Sequence, residues 1–289
     1  MLVSNDFKDY ECIDAGNGEK LERWGNIILR RPDPWALWLH EDISDWNKYD
    51  ALYHRSDKGG GYWEYIKEIP SYWTIKYRDL TFKVSPTGFK HTGLFPEQAV
   101  NWDFIMDKII NANRSIKVLN LFAYTGGATI AASFAGASSV THVDASSGMN
   151  DWAKENAKLT GISDNNIRYI CDDVMKFVLR EKRRGNKYDA IIMDPPTYGR
   201  GPSKELWRFE DSLNNLIEAC VDILSDKPLF FLISSYTKGI TPTILSNVME
   251  TSSLSKLNGK ITCCEIGIKM SMRDMVLPCG ICGRWESND

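Results

Sequence analysis

The chain has 289 residues, 43% of them hydrophobic and 25% charged, with a formal net charge of −3 at pH 7. That length can bury a full α/β core and carry a further module of modest size. No apolar run approaches the ~20 residues a membrane span needs, and the negative net charge exerts no global pull on nucleic acid. The seven cysteines, odd in number and scattered, suit a reducing cytoplasm better than a disulfide framework. With no basic segment followed by an apolar core near Met1, a cytoplasmic protein without a secretory signal is expected.

Residues 1–90 read as a small β-rich extension. Seven of the ten tryptophans (Trp24, Trp35, Trp38, Trp46, Trp63, Trp73 and Trp102) fall within the first 102 residues. Residues 25–31, closed by Pro32, and 62–67 read as strands, and 72–77 with 80–85 form a hairpin about Arg78-Asp79. Aromatics in such a sheet can stack on single-stranded bases, but a core role is the expectation. Residues 91–289 form the main domain. Val100, Phe104, Ile105 and Ile109 are spaced for a helix over 99–110 that Pro96 helps to start.

The main domain is organised around the apolar run 118–127, which stops in Gly126-Gly127 and continues as Ala128-Thr129-Ile130-Ala131-Ala132. This predicts strand, tight turn and helix. The glycines permit positive φ and close approach to a ligand, and the helix aims free N–H groups at the turn. Eighteen residues past Gly126, strand 139–143 ends in Asp144, where an acidic residue would grip ribose hydroxyls. The pattern is not G-x-G-x-x-G, because Phe122, Ala123 and Tyr124 occupy the turn, and no G-K-[ST] follows; this argues against a nicotinamide site and a P-loop. Helix 148–160, strand 167–171 ending in Asp172-Asp173, helix 174–184 and strand 188–193 ending in Asp194-Pro195-Pro196 come next. Helix 206–224, strand 229–233, helix 242–251 and strands 260–266 and 281–285 complete a doubly wound, Rossmann-like α/β sheet with a hairpin-like pair at one edge.

Four strand ends therefore deliver 122–127, Asp144, Asp172-Asp173 and Asp194-Pro195-Pro196 to the crevice where such folds bind ligands. One acidic residue after a strand can simply cap the next helix, but four in succession point to a cofactor with a ribose, a purine and a charged amino-acid end. S-adenosylmethionine fits. Asp144 would take the ribose hydroxyls and Asp173 the adenine amino group, Asp194 and the two prolines would face the methyl, and Tyr198 would stack on a flat substrate. Residues 176–208 hold nine basic against four acidic side chains, and Arg200, Lys204 and Arg208 are candidates for phosphate contacts. The run 180–184 reads equally as a solvated helix end.

Residues 91–285, through His91-Thr92-Gly93-Leu94-Phe95-Pro96-Glu97-Gln98, Asn120-Leu121-Phe122-Ala123-Tyr124-Thr125-Gly126-Gly127 and Asp194-Pro195-Pro196-Thr197-Tyr198-Gly199-Arg200-Gly201, resemble class I S-adenosylmethionine-dependent methyltransferases. Within that class they resemble the group related to large-subunit rRNA cytosine-C5 and guanine-N7 methyltransferases. The resemblance extends to Gly18-Glu19-Lys20-Leu21-Glu22-Arg23-Trp24 and Arg31-Pro32-Asp33-Pro34. It implies a seven-stranded sheet, S-adenosylmethionine as cofactor and ribosomal RNA as partner. It also implies a pocket lined by Asn120, Phe122, Tyr124, Gly126, Asp144, Asp173 and Asp194, closed over by Gln98.

Two departures bear on the chemistry. Cytosine-C5 methylation needs a thiolate to add to the ring, and where relatives carry that cysteine this chain has Thr197 and Ser234-Ser235-Tyr236. Amino-group enzymes place an aromatic directly after the second proline, whereas here it comes one residue later, at Tyr198. The reading is therefore in-line transfer to an RNA base without a cysteine adduct, with the target atom open. A small-molecule methyltransferase with the N-terminal part as a lid, or a non-catalytic RNA-binding factor that keeps the pocket, are the alternatives. Cys279-Gly280-Ile281-Cys282 with Cys263-Cys264 could be assembled into a zinc site but is discounted, since one pair is contiguous; no metal is expected.

Overall fold

The computed structural model describes residues 1–4, 6–41, 44–56, 60–162 and 166–288. The chain forms two compact units, one of Leu2–Val100 with Gly267–Cys279, the other of Met1, Asn101–Ile266 and Gly280–Asp289.

In the smaller unit β1 (Leu2–Ser4) precedes a five-stranded sheet in which β2 (Tyr10–Gly16), β3 (Glu19–Trp24), β4 (Ile27–Pro32), β5 (Ala51–Arg55) and β6 (Gly61–Tyr65) lie in sequence order. A separate hairpin pairs β7 (Trp73–Tyr77) with β8 (Leu80–Val84), turning at Arg78 (φ 51°) as its sequence suggests. The β2–β3 hairpin turns at Asn17 and Gly18, whose left-handed φ values of 53° and 79° give the twist that antiparallel strands favour. Trp24 and Trp46 are core residues, whereas Trp35 is 40% exposed. Beneath the sheet the buried Glu22 accepts from Arg31 Nε (2.7 Å), Arg31 Nη2 (2.9 Å) and Tyr10 Oη (2.7 Å), with Lys20 at 3.3 Å. Burial works to raise the pKa of Glu22, but Arg31 and Lys20 outweigh it and hold the carboxyl below its ordinary range.

In the larger unit α1 (Ala99–Asn111) leads to β9 (Lys117–Leu121), α2 (Gly127–Phe134), β10 (Ser139–Asp144), α3 (Ser147–Thr160), β11 (Ile167–Cys171), α4 (Val174–Arg184) and β12 (Ala190–Met193). A short hairpin of β13 (Tyr198–Arg200) and β14 (Leu206–Arg208) follows, then α5 (Phe209–Val221), β15 (Phe230–Ser235), α6 (Pro242–Thr251), β16 (Gly259–Lys269) and β17 (Val276–Ser287). Seven strands of the sheet follow the order β16-β17-β15-β12-β9-β10-β11. The alternating strands and helices thus form the doubly wound sheet read from the sequence. Every residue of β12 and β15 is buried, as expected of strands covered by helices on both faces.

Two boundaries differ from the sequence reading. Residues 206–208 belong to a strand and α5 starts only at Phe209, because Trp207 turns inward and pairs with Gly199 across the hairpin. β16 and β17 are much longer than 260–266 and 281–285, and part of each belongs to the smaller unit. Among the described residues no helix is long and apolar enough to cross a membrane.

Candidate cofactor and substrate site

The chain leaves β9 toward β10 on one side and returns to β12 on the other, so the strand order reverses between β9 and β12. Their register pairs Leu121 with Met193 at the two carboxyl ends. Asp194 N donates to Leu121 O (3.4 Å), which brings the loop 122–126 and the Asp194-Pro195-Pro196 turn side by side at the position where doubly wound sheets bind ligands.

The loop is sharply bent. Phe122 (φ 53°), Tyr124 (φ 50°) and Gly126 (φ 85°) are all left-handed, and for the two aromatic residues that conformation costs roughly 1–2 kcal/mol each. It is held by Ala123 N donating to Val143 O (3.1 Å), Tyr124 N to Asp144 Oδ2 (2.9 Å) and Asn156 Nδ2 to Thr125 O (2.9 Å). Strain fixed from several sides marks a conformation with a use. A Cβ on Gly126 would lie 2.9 Å from Ala153 Cβ, so glycine is required there by packing as well as by φ.

Under the loop runs a buried polar chain that the sequence reading did not foresee. Asn120 Nδ2 donates to Thr129 Oγ1 (2.9 Å), which in turn lies 2.9 Å from His142 Nδ1. Burial pushes the His142 pKa down to about 3, so the ring is neutral and can share a hydrogen with a hydroxyl. Its legible signal is the register of His142 with Asn120 in adjacent parallel strands, which becomes available only once β9 and β10 are paired.

The acidic residues divide into two kinds. Asp144 accepts one backbone N–H on each carboxylate oxygen, Tyr124 N on Oδ2 and Ser146 N on Oδ1 (both 2.9 Å). Burial nevertheless raises its pKa, the two hydrogen bonds offsetting only part of the effect. The carboxylate is thus oriented, partly desolvated and able to accept hydroxyl donors on its remaining lone pairs. Asp173 caps α4 by accepting from Lys176 N on Oδ1 (2.9 Å), and Asp172 pairs with Arg180 (2.6 Å). A Cβ on Gly201 would lie 3.1 Å from Asp173 Oδ2, so the hairpin turn reaches this carboxylate.

The β13–β14 hairpin is the element that carries Tyr198, Arg200 and Arg208, with Lys204 in its turn (φ 69°). Tyr198 stands opposite Arg208 and Arg200 opposite Leu206, and all four are exposed; the opposite face carries Trp207, which is buried. The indole donates to Pro196 O (2.6 Å) and packs on Phe122 with ring centroids 4.9 Å apart. An ion pair of Lys176 with Glu205 ties the turn to α4. Gln98 lies in the smaller unit, in the turn Pro96–Gln98.

A family model of S-adenosylmethionine-dependent methyltransferases matches residues 47–223. The chain belongs to this family. A crystal structure of the SAM-dependent methyltransferase from Agrobacterium tumefaciens is similar to this methyltransferase over 99% of the chain and 92% of its own, with 37% identity and a TM-score of 0.93. A Streptococcus mutans chain described as a SAM-dependent methyltransferase shares the fold at 17% identity, with a TM-score of 0.75 over 98% of this chain and 76% of that one. Curated relatives include the ribosomal RNA large subunit methyltransferases K/L of Shewanella frigidimarina (31% identity over 204 residues, 70% of this chain and 27% of the relative) and Shewanella woodyi (34% over 185 residues, 61% and 23%). The methyltransferase spans about a quarter of the length of these relatives. Its cofactor is S-adenosylmethionine, and the donor set described above suits that molecule: an oriented, partly desolvated carboxylate for a diol beside a strained loop.

Proposed function

We propose that this methyltransferase transfers a methyl group from S-adenosylmethionine to a base in RNA, with ribosomal RNA the first substrate to test. The observation that carries the reading is the hairpin: directly after Asp194-Pro195-Pro196 one of its faces offers Tyr198, Arg200 and Arg208 to solvent, while Trp207 on the other anchors it to Pro196 and Phe122. An aromatic ring between two guanidinium groups suits a flat base and its flanking phosphates. The names of the K/L relatives point the same way.

When bound, S-adenosylmethionine supplies a methyl on a positively charged sulfur. Asp144 accepts the ribose hydroxyls, Asp173 borders the adenine with Gly201 closing beside it, and Phe122, Tyr124 and Gly126 shape the loop under the sugar. Asn120 positions that loop through Thr129 and His142. Pro195 and Pro196 fix the turn that points the Asp194 carboxylate and neighbouring carbonyls at the target. Tyr198 stacks on the base, and Arg200, Lys204 and Arg208 hold phosphates. Thr197 Oγ1 lies 3.0 Å from Thr237 Oγ1, and Ser235 Oγ accepts from Thr237 N (3.2 Å). Hydroxyls therefore stand where a cytosine-C5 enzyme needs a thiolate, and a nitrogen target, whose lone pair attacks directly, is the chemically fitting one.

The test is RNA binding by the triple variant Arg200→Ala, Lys204→Ala, Arg208→Ala against wild type over a salt series. The reading expects weaker binding, a log–log salt slope shallower by about 2, and unchanged cofactor affinity. An unchanged slope would remove the hairpin from the RNA interface.

A further inference from the structure

Cys263-Cys264 and Cys279-Gly280-Ile281-Cys282 are a sequence feature that methyl transfer does not use. Cys263 and Cys264 are consecutive in β16 and so face opposite sides of the sheet. Cys263 Sγ lies against Met249 Sδ of α6 (3.8 Å), whereas Cys264 Sγ lies 3.8 Å from Cys282 Sγ on β17. β16 and β17 are neighbours in the sheet, and a Cβ on Gly283, the residue after Cys282, would lie 3.0 Å from Cys263 Sγ, so the two segments run side by side at this level. Opposed residues of an antiparallel pair have Cα atoms about 4.5–5.5 Å apart, inside the range that a disulfide bridges. The two sulfurs need to close by less than 2 Å, a displacement within reach of side-chain rotation.

The surroundings favour reaction at one of the two. Cys264 is partly exposed and Cys282 is buried. The hydrogen bond with Cys282 and the positive charge of Arg284 hold the Cys264 thiol below the ordinary thiol range, while that hydrogen bond and burial push Cys282 up. Arg284 is itself fixed, its Nη2 donating to Asn101 Oδ1 (2.7 Å) and its guanidinium carbon lying 4.2 Å from the Phe104 ring centroid. An attacking thiolate beside a fixed cation, with a second thiol within van der Waals contact, is the arrangement of an oxidisable pair.

We propose that Cys264 and Cys282 form a reversible dithiol–disulfide couple whose oxidant is a hydroperoxide. The Cys264 thiolate attacks one peroxide oxygen and the O–O bond breaks, which leaves a sulfenic acid and, for hydrogen peroxide, a hydroxide that becomes water. The Cys282 sulfur then attacks the sulfenyl sulfur, the S–O bond breaks, and the oxygen leaves as a second water. Each sulfur loses one electron overall and the peroxide gains two. A dithiol reductant reverses the change. Cys282 stands opposite Ser234 in β15, and Ser234 follows Ile233, the register partner of Met193, so Cys282 is level with Asp194 two strands away.

The experiment treats the reduced full-length protein with graded hydrogen peroxide, blocks remaining thiols with N-ethylmaleimide and maps the peptides by mass spectrometry. Cys171, the exposed thiol at the end of β11, is the internal reference. The expected result is a Cys264–Cys282 linkage, reversed by dithiothreitol, that forms about threefold or more faster than Cys171 is consumed, because the partner thiol 3.8 Å away captures the oxidised sulfur. In Cys282→Ser the linkage is lost and dimedone traps a sulfenic acid on Cys264, and in Cys264→Ser the Cys282 thiol stays alkylatable. A Cys264 that remains alkylatable after Cys171 has been consumed, or a main linkage to any other cysteine, would overturn the proposal.

Discussion

At the scale of single residues, Asp144 and Gly126 carry the most weight. Asp144 is held by Tyr124 N and Ser146 N and is partly desolvated. Asp144→Asn should weaken cofactor binding by about 10- to 100-fold, the equivalent of one or two hydrogen bonds to a charged acceptor, with calorimetry as the measurement and wild-type affinity as the contrary result. Because burial raises the Asp144 pKa, protonation removes this acceptor at a higher pH than for an ordinary carboxylate. On acidification cofactor affinity should therefore begin to decline before ordinary carboxylates titrate, and Asp144→Asn should flatten that dependence. Gly126→Ala places a Cβ at φ 85° and 2.9 Å from Ala153 Cβ. The conformation alone costs roughly 1–2 kcal/mol, to be read as a lower urea midpoint together with lost cofactor binding. Asp144 and the glycine turn were legible in the sequence because both are local features at strand ends. The Asn120–Thr129–His142 chain was not, since its members come together only through the pairing of β9 with β10.

Among the elements, the β13–β14 hairpin decides whether the substrate reading stands. Trp207 joins it to Pro196 and Phe122, so Trp207→Ala removes a buried indole and a hydrogen bond, a local loss of about 3 kcal/mol or more. Methyl transfer should fall at least about tenfold, as expected when the group that orients the substrate is displaced, while cofactor affinity stays near that of wild type. Equal losses in both would mean that Trp207 serves the cofactor pocket instead. This hairpin shows how sequence reading fails. Gly201-Pro202-Ser203 is a turn signal, and Leu206-Trp207-Arg208 alternates like a strand, but the adjoining apolar spacing of α5 absorbed these residues into a helix. The β2–β3 hairpin was missed despite its Asn17-Gly18 turn because Glu19-Lys20 and Glu22-Arg23 read as polar, whereas Lys20 and Glu22 in fact form a largely buried ion cluster with Arg31. By contrast β12 and β15, buried along their whole length, stood out as apolar runs.

For the whole molecule, stability should depend on pH in a definite sense. The folded-state pKa of His142 is pushed down to about 3 and that of His91 to about 4, burial being the main cause for both. Between about pH 6.5 and those values the unfolded chain binds more protons than the folded one, so stability falls as pH falls, by about 1.4 kcal/mol per pH unit for each histidine. Urea midpoints at pH 7, 6 and 5 measure this, and His142→Gln should make the decline shallower; a flat profile would contradict the buried neutral rings. Glu22 adds to the same acid limb, because its depressed pKa stabilises the fold above the carboxylate range and that contribution is lost as pH falls through it. Removing it as Glu22→Ala leaves Arg31 buried without its partner and should cost about 3–5 kcal/mol. The reaction itself is read by incubating the protein with labelled S-adenosylmethionine and total RNA from cells lacking it, then digesting the RNA and identifying the labelled nucleoside by mass. A methylated guanosine or adenosine, absent with Asp194→Ala, is the predicted result; unlabelled RNA from a protein that still binds the cofactor would contradict the assignment of RNA as substrate.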